Sequence, residues 1–550
     1  MRLDAVLLNG LVAVPAAFAL LTALVSGRSA PTAQLTDSDV ETGSRDVTTA
    51  QLRRSGGRAA TWVAVLGGLV TFGWSVWAVT AARTALDGSH VDVAWIRALD
   101  VRWHLGLDGI SGPLVLMTTL VLALCLVSLL RHPPAGSRAP LAALLLLIEA
   151  GVLGSFMALD MVLFFAFFEV ALIPMWFVIS SWGDPHDRAG RVRAATRFLL
   201  FTVLGSALML VGFMLVHAGS GTFDITRIAS TYRPSGATAV AAAVLVGLGL
   251  AVKTPLWPLH IWLPDAHSKA PTVGSVVLAA VLLKLGTYGY IRFWMPVVDP
   301  SWKVLVPFVA GLAVVGIVYA ALACLAQTDL KRLIAYSSVG HMGFVILAVA
   351  TFTVGGVQGA VFASVAHGLI TGLLFFLAGA IKDRYGTGDL DRLTVLYGKM
   401  PRLGGLFAFA ALASLGLPGL AGFWGEMLAI RSAVYQAPVL PEVTYGVLAV
   451  VAALGVILTS AYFLALMRGM LQGTPVAVRP VNEGVESIEL ATAEVEPATP
   501  MAGAVRRDVD AMEWLVWSPL VALTLVLGVA PGLVLTPVAQ AAQAFFGGLR

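Results

Sequence analysis

Runs of about 20 apolar residues recur along the whole of this 550-residue sequence, and each is long enough to cross the hydrocarbon core of a bilayer as one α-helix. Fourteen such spans can be marked, near residues 3–25, 61–82, 111–130, 139–159, 161–181, 196–218, 238–259, 272–294, 303–325, 332–352, 357–380, 403–430, 443–468 and 512–541. Hydrocarbon offers no partner to a backbone N–H or C=O, so a spanning segment must be a helix or part of a closed barrel. Alternating strand patterns are absent, which leaves helices and an all-α polytopic membrane protein. Composition agrees: 58% of residues are hydrophobic and only 12% charged, against about 25% in soluble domains. The first span has no basic leader and no small-residue cleavage site, so it reads as a helix rather than a signal peptide.

Basic residues orient the chain. The loops after odd-numbered spans, with the span edges beside them, hold 23 Lys and Arg, against 10 for the other loops and both termini. The positive-inside rule places the odd loops in the cytoplasm and both termini outside, in a bacterial inner membrane. Cys125 and Cys324 are single residues within apolar spans, unable to form a CxxC site or to hold an iron–sulfur cluster. No glycine-rich nucleotide loop and no metal-ligand cluster occurs, and nothing points to nucleic acid. Any redox cofactor of the system then belongs to partner chains.

Two stretches, 27–60 and 473–511, are polar and unpatterned and read as flexible cytoplasmic loops, the second acidic. Two spans look discontinuous. Span seven ends in LGLAVKTPLWPLHIWLPDAH, with Pro255 and Pro258, and span twelve reads ALASLGLPGLAGFWGEM, with Pro418 among glycines. Proline lacks a backbone donor and clashes with the preceding turn. The breaks are five spans apart, which suggests two five-helix units of inverted orientation, spans four to eight and nine to thirteen. Broken helices at matching places in two halves are a pointer to an ion site. The chain then divides into residues 1–138, the two repeats at 139–294 and 303–468, the loop 469–511, and a last helix in 512–550.

Only seven lysines occur, and two of them, Lys253 and Lys284, lie inside apolar runs, as do Glu169 and Glu426. A charge at mid-membrane costs about 2.5–3.5 kcal/mol even on the mild insertion scale, so it marks function or a partner. Glu169 and Lys253 on neighbouring spans could form an ion pair, either a static clamp or a proton-loading switch. Lys284 is too far from either span end to snorkel. Glu426 could pair with Arg431 or serve a proton path. His341 fits a relay between Lys284 and Glu426, because imidazole titrates near neutral pH. His367, Glu149, and the group His260, Asp265 and His267 after span seven are accessory candidates, and each could equally be structural.

The stretches FEVALIPMW, VKTPLWPLHIWLPDAHSKAPTVGSVVLAAVLLKLGTYGYIR, DLKRLIAYSSVGHMGF, AHGLITGLLFFLAG and LGLPGLAGFWGEM together resemble the antiporter-like subunits of respiratory complex I, the proton-pumping NADH:quinone oxidoreductase. The resemblance covers spans two to fourteen. It implies fourteen helices with two inverted repeats, discontinuous helices seven and twelve, and a half-channel around Glu169 and Lys253. From there it implies a central Lys284 and a route through His341 to Glu426. It also implies neighbours of the L and N types in a membrane arm surrounded by lipid, with NADH, FMN, iron–sulfur clusters and quinone held by other subunits and no cofactor in this chain. Sister subunits and Mrp-type cation/proton antiporter subunits usually carry lysine where Glu426 stands. An Mrp-type antiporter subunit, or the membrane subunit of an energy-converting hydrogenase, is the alternative reading. The polar stretches 27–60 and 473–511 depart from the family pattern.

Overall fold

The computed structural model describes residues 3–28, 45–84, 89–302, 304–472 and 508–548. It begins with α1 (Leu3–Arg28), α2 (Arg45–Thr84), a hairpin of β1 (Ser89–Ile96) and β2 (Val101–Leu107), α3 (Ser111–Ser128), α4 (Arg138–Met157), α5 (Met161–Trp182) and α6 (Arg188–Ser220). After the short α7 (Ile225–Thr231) come α8 (Gly236–Lys253), α9 (Trp262–Lys269), α10 (Thr272–Val297), α11 (Leu305–Leu325), α12 (Leu330–Val349) and α13 (Val354–Tyr385). The chain closes with α14 (Pro401–Ser414), α15 (Ala421–Val434), α16 (Glu442–Met467), α17 (Ala511–Val529) and α18 (Gly532–Gly548). Among the described residues, 13 helices are long and apolar enough to cross a membrane, and α14 with α15 makes one further, interrupted path.

Both breaks have local causes. After Lys253, Pro255 and Pro258 interrupt the backbone ladder, and helix resumes at Trp262, whose indole donates back across the gap to Val252 O at 3.0 Å. Between α14 and α15, Gly416 and Gly419 hold φ of +81° and +91° on either side of Pro418. Glycine adopts that region without steric cost. Aspartates start several helices: Asp160 accepts from the N–H of Val162 and Leu163, and Asp329 from that of Arg332.

α10 and α13 run through the middle and are almost wholly buried. The rim helices present apolar side chains outward, with Leu200 on α6 64% exposed and Val443 on α16 81% exposed. An exterior of that kind suits lipid rather than water. α6 and α8 approach through glycine: a Cβ on Gly249 would lie 2.4 Å from Gly205 O. Small residues at such a crossing let backbones pack without intervening side chains.

Three details differ from the sequence reading. A strand pair is present: SHVDVAWI and VRWHLGL form an antiparallel hairpin between α2 and α3, with Asp92 opposite His104. It lies outside the apolar runs, where a search for spans does not look. Residues 45–60 are helical and extend α2 rather than forming a loop, since VTTAQLRR contains good helix formers and no proline. The remainder of that loop, 29–44, and residues 473–507 of the second polar stretch lie outside the described residues. The last span divides at Pro531 into α17 and α18, and α18 buries only a stripe of Val534, Val538 and Ala542. Gln358 fastens α18 to α13 by donating to Leu535 O at 2.9 Å.

The hairpin is pinned to the chain around it. Asp160 accepts from the Arg102 N–H at 3.1 Å, and His104 Nδ1 lies 2.9 Å from Asp224 Oδ2. Burial pushes the Asp224 carboxyl up, but hydrogen bonds from His104 and Thr226 more than offset it and hold it at about 2.

Candidate functional site

Two short π-helical segments, Leu278–Leu282 and Tyr290–Trp294, flank Lys284 on α10. Such bulges rotate a helix locally and leave carbonyls open to other donors. The Lys284 ammonium takes one of them, donating to Ala279 O at 2.5 Å, and its Nζ lies 2.6 Å from His367 Nδ1 on α13. The ring of His367 meets that of His341 on α12 edge to face, with centroids 5.4 Å apart. His341 Nδ1 lies 3.3 Å from Glu426 Oε1 on α15, and its Nε2 lies 3.1 Å from Ser414 Oγ at the end of α14. Four titratable side chains from four helices thus form one continuous row. A cavity of about 20 Å³ lies among His341, His367, Ser414 and Glu426, room for a single water.

The second break shapes the far end of the row. A Cβ on Gly416 would lie 2.6 Å from Glu426 Oε2, so the interrupted backbone itself packs on the carboxylate. Arg431 does not pair with Glu426; its guanidinium lies 5.5 Å from the Tyr435 ring centroid.

The first break presents Lys253 differently. It is the last residue of α8, where open carbonyls carry partial negative charge that favours a cation. Its Nζ has no hydrogen-bond partner and lies 4.7 Å from the Phe168 ring centroid and 5.6 Å from that of Phe198. Glu169 interacts with it through space without an ion-pair contact, and Glu169 Oε1 is buried without a hydrogen bond. The structure therefore does not hold the Glu169–Lys253 pair closed. Phe168 stands against the ammonium instead.

Of the accessory candidates, Glu149 is fully buried on α4 with neither oxygen hydrogen-bonded. His267 is fully buried and stacked on Phe375, ring centroids 4.6 Å apart, with both nitrogens unpartnered. His260 sits edge-on to Tyr319 with both nitrogens likewise unpartnered. Asp265 pairs with Arg197 and, at 3.5 Å, with Arg332, which marks it as a surface fastener. Sequence reading overlooked Lys331, which counts as a loop base by position. It is buried at the start of α12 and donates to Ala270 O at 3.2 Å, lining a cavity of about 820 Å³ that opens among the basic loops. Ser414 was also missed, since one serine in an apolar span carries no signal.

Residues 158–460 match the transmembrane family described as NADH:quinone oxidoreductase/Mrp antiporter. NADH-quinone oxidoreductase subunit M of Rhodobacter capsulatus is 39% identical over 491 residues, 87% of this chain and 88% of that protein. An NAD(P)H-quinone oxidoreductase chain 4 of Synechococcus sp. (strain JA-3-3Ab) is 40% identical over 385 residues, 69% of this chain and 71% of its own. Among solved structures, a chain of respiratory complex I from Thermus thermophilus with bound NADH superposes with a TM-score of 0.78 at 27% identity, covering 99% of this chain and 100% of that one. A chain of the Mrp complex from Dietzia sp. DQ12-45-1b gives 0.76 at 23% identity, covering 100% of both, a likeness of fold alone.

Proposed function

The chain belongs to the NADH:quinone oxidoreductase/Mrp antiporter transmembrane family, and we propose that it is a proton-translocating membrane-arm subunit of a complex I, of the type its relatives call subunit M. The observation that carries this reading is the row Lys284–His367–His341–Glu426 among apolar helices, with a polar contact at each end and, in the middle, two imidazole rings meeting edge to face beside a cavity with room for one water. Ammonium, imidazole and carboxylate each hold or release one proton, and imidazole passes it between its two nitrogens.

Lys253 is the loading site on the side of the basic loops, its charge set by how near Glu169 comes. With the pair open, Phe168 and the helix end hold the cation weakly; approach of Glu169 would favour the ammonium, and withdrawal would release its proton. The released proton passes to Lys284 and along the histidines to Glu426, beside the second break. NADH oxidation and quinone reduction, with FMN and iron–sulfur clusters, belong to other subunits, and this chain holds no cofactor. Their energy arrives through L- and N-type neighbours as a change in the Glu169–Lys253 separation. The basic loops face the cytoplasm of a bacterial inner membrane, and both termini face out. Two inverted five-helix repeats, each broken once, would give the two halves of the path opposite access.

The test uses the assembled complex in proteoliposomes. Lys253→Ala, Lys284→Ala or Glu426→Ala should abolish most NADH-driven proton uptake while leaving NADH oxidation by an artificial acceptor intact. Wild-type pumping in all three variants would defeat the assignment. A tag on this chain that recovers antiporter or hydrogenase subunits, without NADH- and quinone-reactive ones, would keep the fold and remove the function.

A further inference from the structure

If Lys284 carries a transferable proton, as that reading holds, the direct way from it to the face opposite the basic loops has to be closed. The structure shows polar groups starting along that way. Thr287, one turn beyond Lys284, donates to Lys284 O at 3.1 Å and lies 3.2 Å from Ser364 Oγ on α13. Arg292 follows a little over a turn later on the same helix, about 12 Å from Lys284 along the axis. Its side chain is 9% exposed and pairs with Asp108, which precedes α3. Its guanidinium lies 5.8 Å from the Tyr288 ring centroid, between the hydroxyls and the rim.

Asp108 is a rigid holder. Its Oδ1 accepts from the N–H of Ile110 at 2.9 Å and of Ser111 at 3.0 Å, leaving Oδ2 for Arg292. α18 covers the same corner: a Cβ on Gly109 would lie 2.0 Å from Pro537 O. We infer that Arg292, held by Asp108, is an electrostatic seal that keeps Lys284 from exchanging protons directly with the face opposite the basic loops. Guanidinium cannot be deprotonated in a protein, so its positive charge is permanent. A fixed cation in a narrow low-dielectric passage excludes protons, as arginine does in water-conducting pores. With that way shut, a proton on Lys284 leaves sideways, through His367. The competing role is a plain fastener between α10 and the start of α3.

The two roles separate in a passive measurement. The assembled complex is placed in proteoliposomes without NADH, a pH step is imposed, and its decay is followed with a trapped pH dye. R292Q should raise proton permeability several-fold. D108N, which loses the pair and keeps the cation, should stay close to wild type. R292Q combined with K284M should return to wild-type tightness, since the leak runs through Lys284. A tight R292Q, or a D108N that leaks as much as R292Q, overturns the seal, and so does a double variant that leaks like the single. Should R292Q not assemble, R292H makes the comparison within one protein. With Asp108 and Tyr288 as the groups facing it, it should be tight at pH 6 and leaky at pH 8, and equal permeability at both overturns the seal. Because no NADH is present, failure of the pumping reading shows separately, as normal NADH-driven uptake in Lys284→Ala.

Discussion

A single imidazole decides whether the row in the membrane is continuous. Among the described residues His367 is the only side chain hydrogen-bonded to the Lys284 Nζ, and its ring also meets that of His341. His367→Ala should therefore lower NADH-driven proton uptake by about a hundredfold or more, the usual scale for removing a positioned proton-transfer group. Artificial-acceptor oxidation should stay unchanged, and undiminished uptake would show that the proton bypasses this ring. Sequence reading ranked His367 below His341, because which face of a helix points at which neighbour is a matter of rotation that spacing alone does not fix. Lys253, Lys284, Glu169 and Glu426 were legible because a charge in an apolar run is conspicuous. The Arg292–Asp108 pair was not: its partners stand 184 residues apart, one at a span end and one in a loop. Outside the membrane spans, Asp224 gives a pH prediction. Its folded-state carboxyl, held at about 2, lies below the ordinary 3.8, so its stabilising bond to His104 is fully present above about pH 4 and fades as pH falls toward 2. Hydrogen exchange, corrected for intrinsic rate, should show 89–107 loosening as pH falls from 4 toward 2. Asp224→Asn should loosen it already at neutral pH, by about 1.5–3 kcal/mol for a hydrogen bond to a charged group.

The two interrupted helices carry the site, and their interruptions do different things. At the first, the break ends α8 on Lys253, so helix carbonyls face the ammonium. At the second, the chain turns at Gly416 directly against Glu426. Gly416→Ala should cost about 1–3 kcal/mol for its φ of +81° and push on the carboxylate, lowering proton uptake in complex that still assembles. Gly446→Ala on α16, where a Cβ meets nothing within 4 Å, is the control and should be neutral or slightly stabilising. Equal behaviour of the two would mean that the turn does not position Glu426. Both breaks could be read from sequence because proline and glycine act locally. The hairpin and the separate α18 could not, since a search tuned to 20-residue apolar runs passes over short strands and merges two helices across Pro531. The π segments around Lys284 leave no local mark in the sequence either.

At the scale of the molecule, the parts share one direction. The large cavity holding Lys331 opens among the basic loops, the broken α8–α9 path begins beside it, and Arg292 stands near the opposite rim of the buried α10. The direction of transport then depends on which rim faces the cytoplasm, and only the uneven count of basic residues, 23 against 10, speaks to that. The chain suits a direct measurement, because its two cysteines are both buried and leave little background for a thiol probe. Ser301, exposed in the loop after α10, and Asp391, exposed in the loop after α13, lie on opposite faces. Ser301→Cys should react with a membrane-impermeant maleimide applied to intact cells, whereas Asp391→Cys should react only in inverted vesicles. The reverse pattern would turn the molecule over: the Lys331 cavity would become an outlet, Arg292 would shut Lys284 from the cytoplasm, and uptake at Lys253 would have to be abandoned. Labelling of both from both sides would mean that the basic count does not hold the chain in a single orientation.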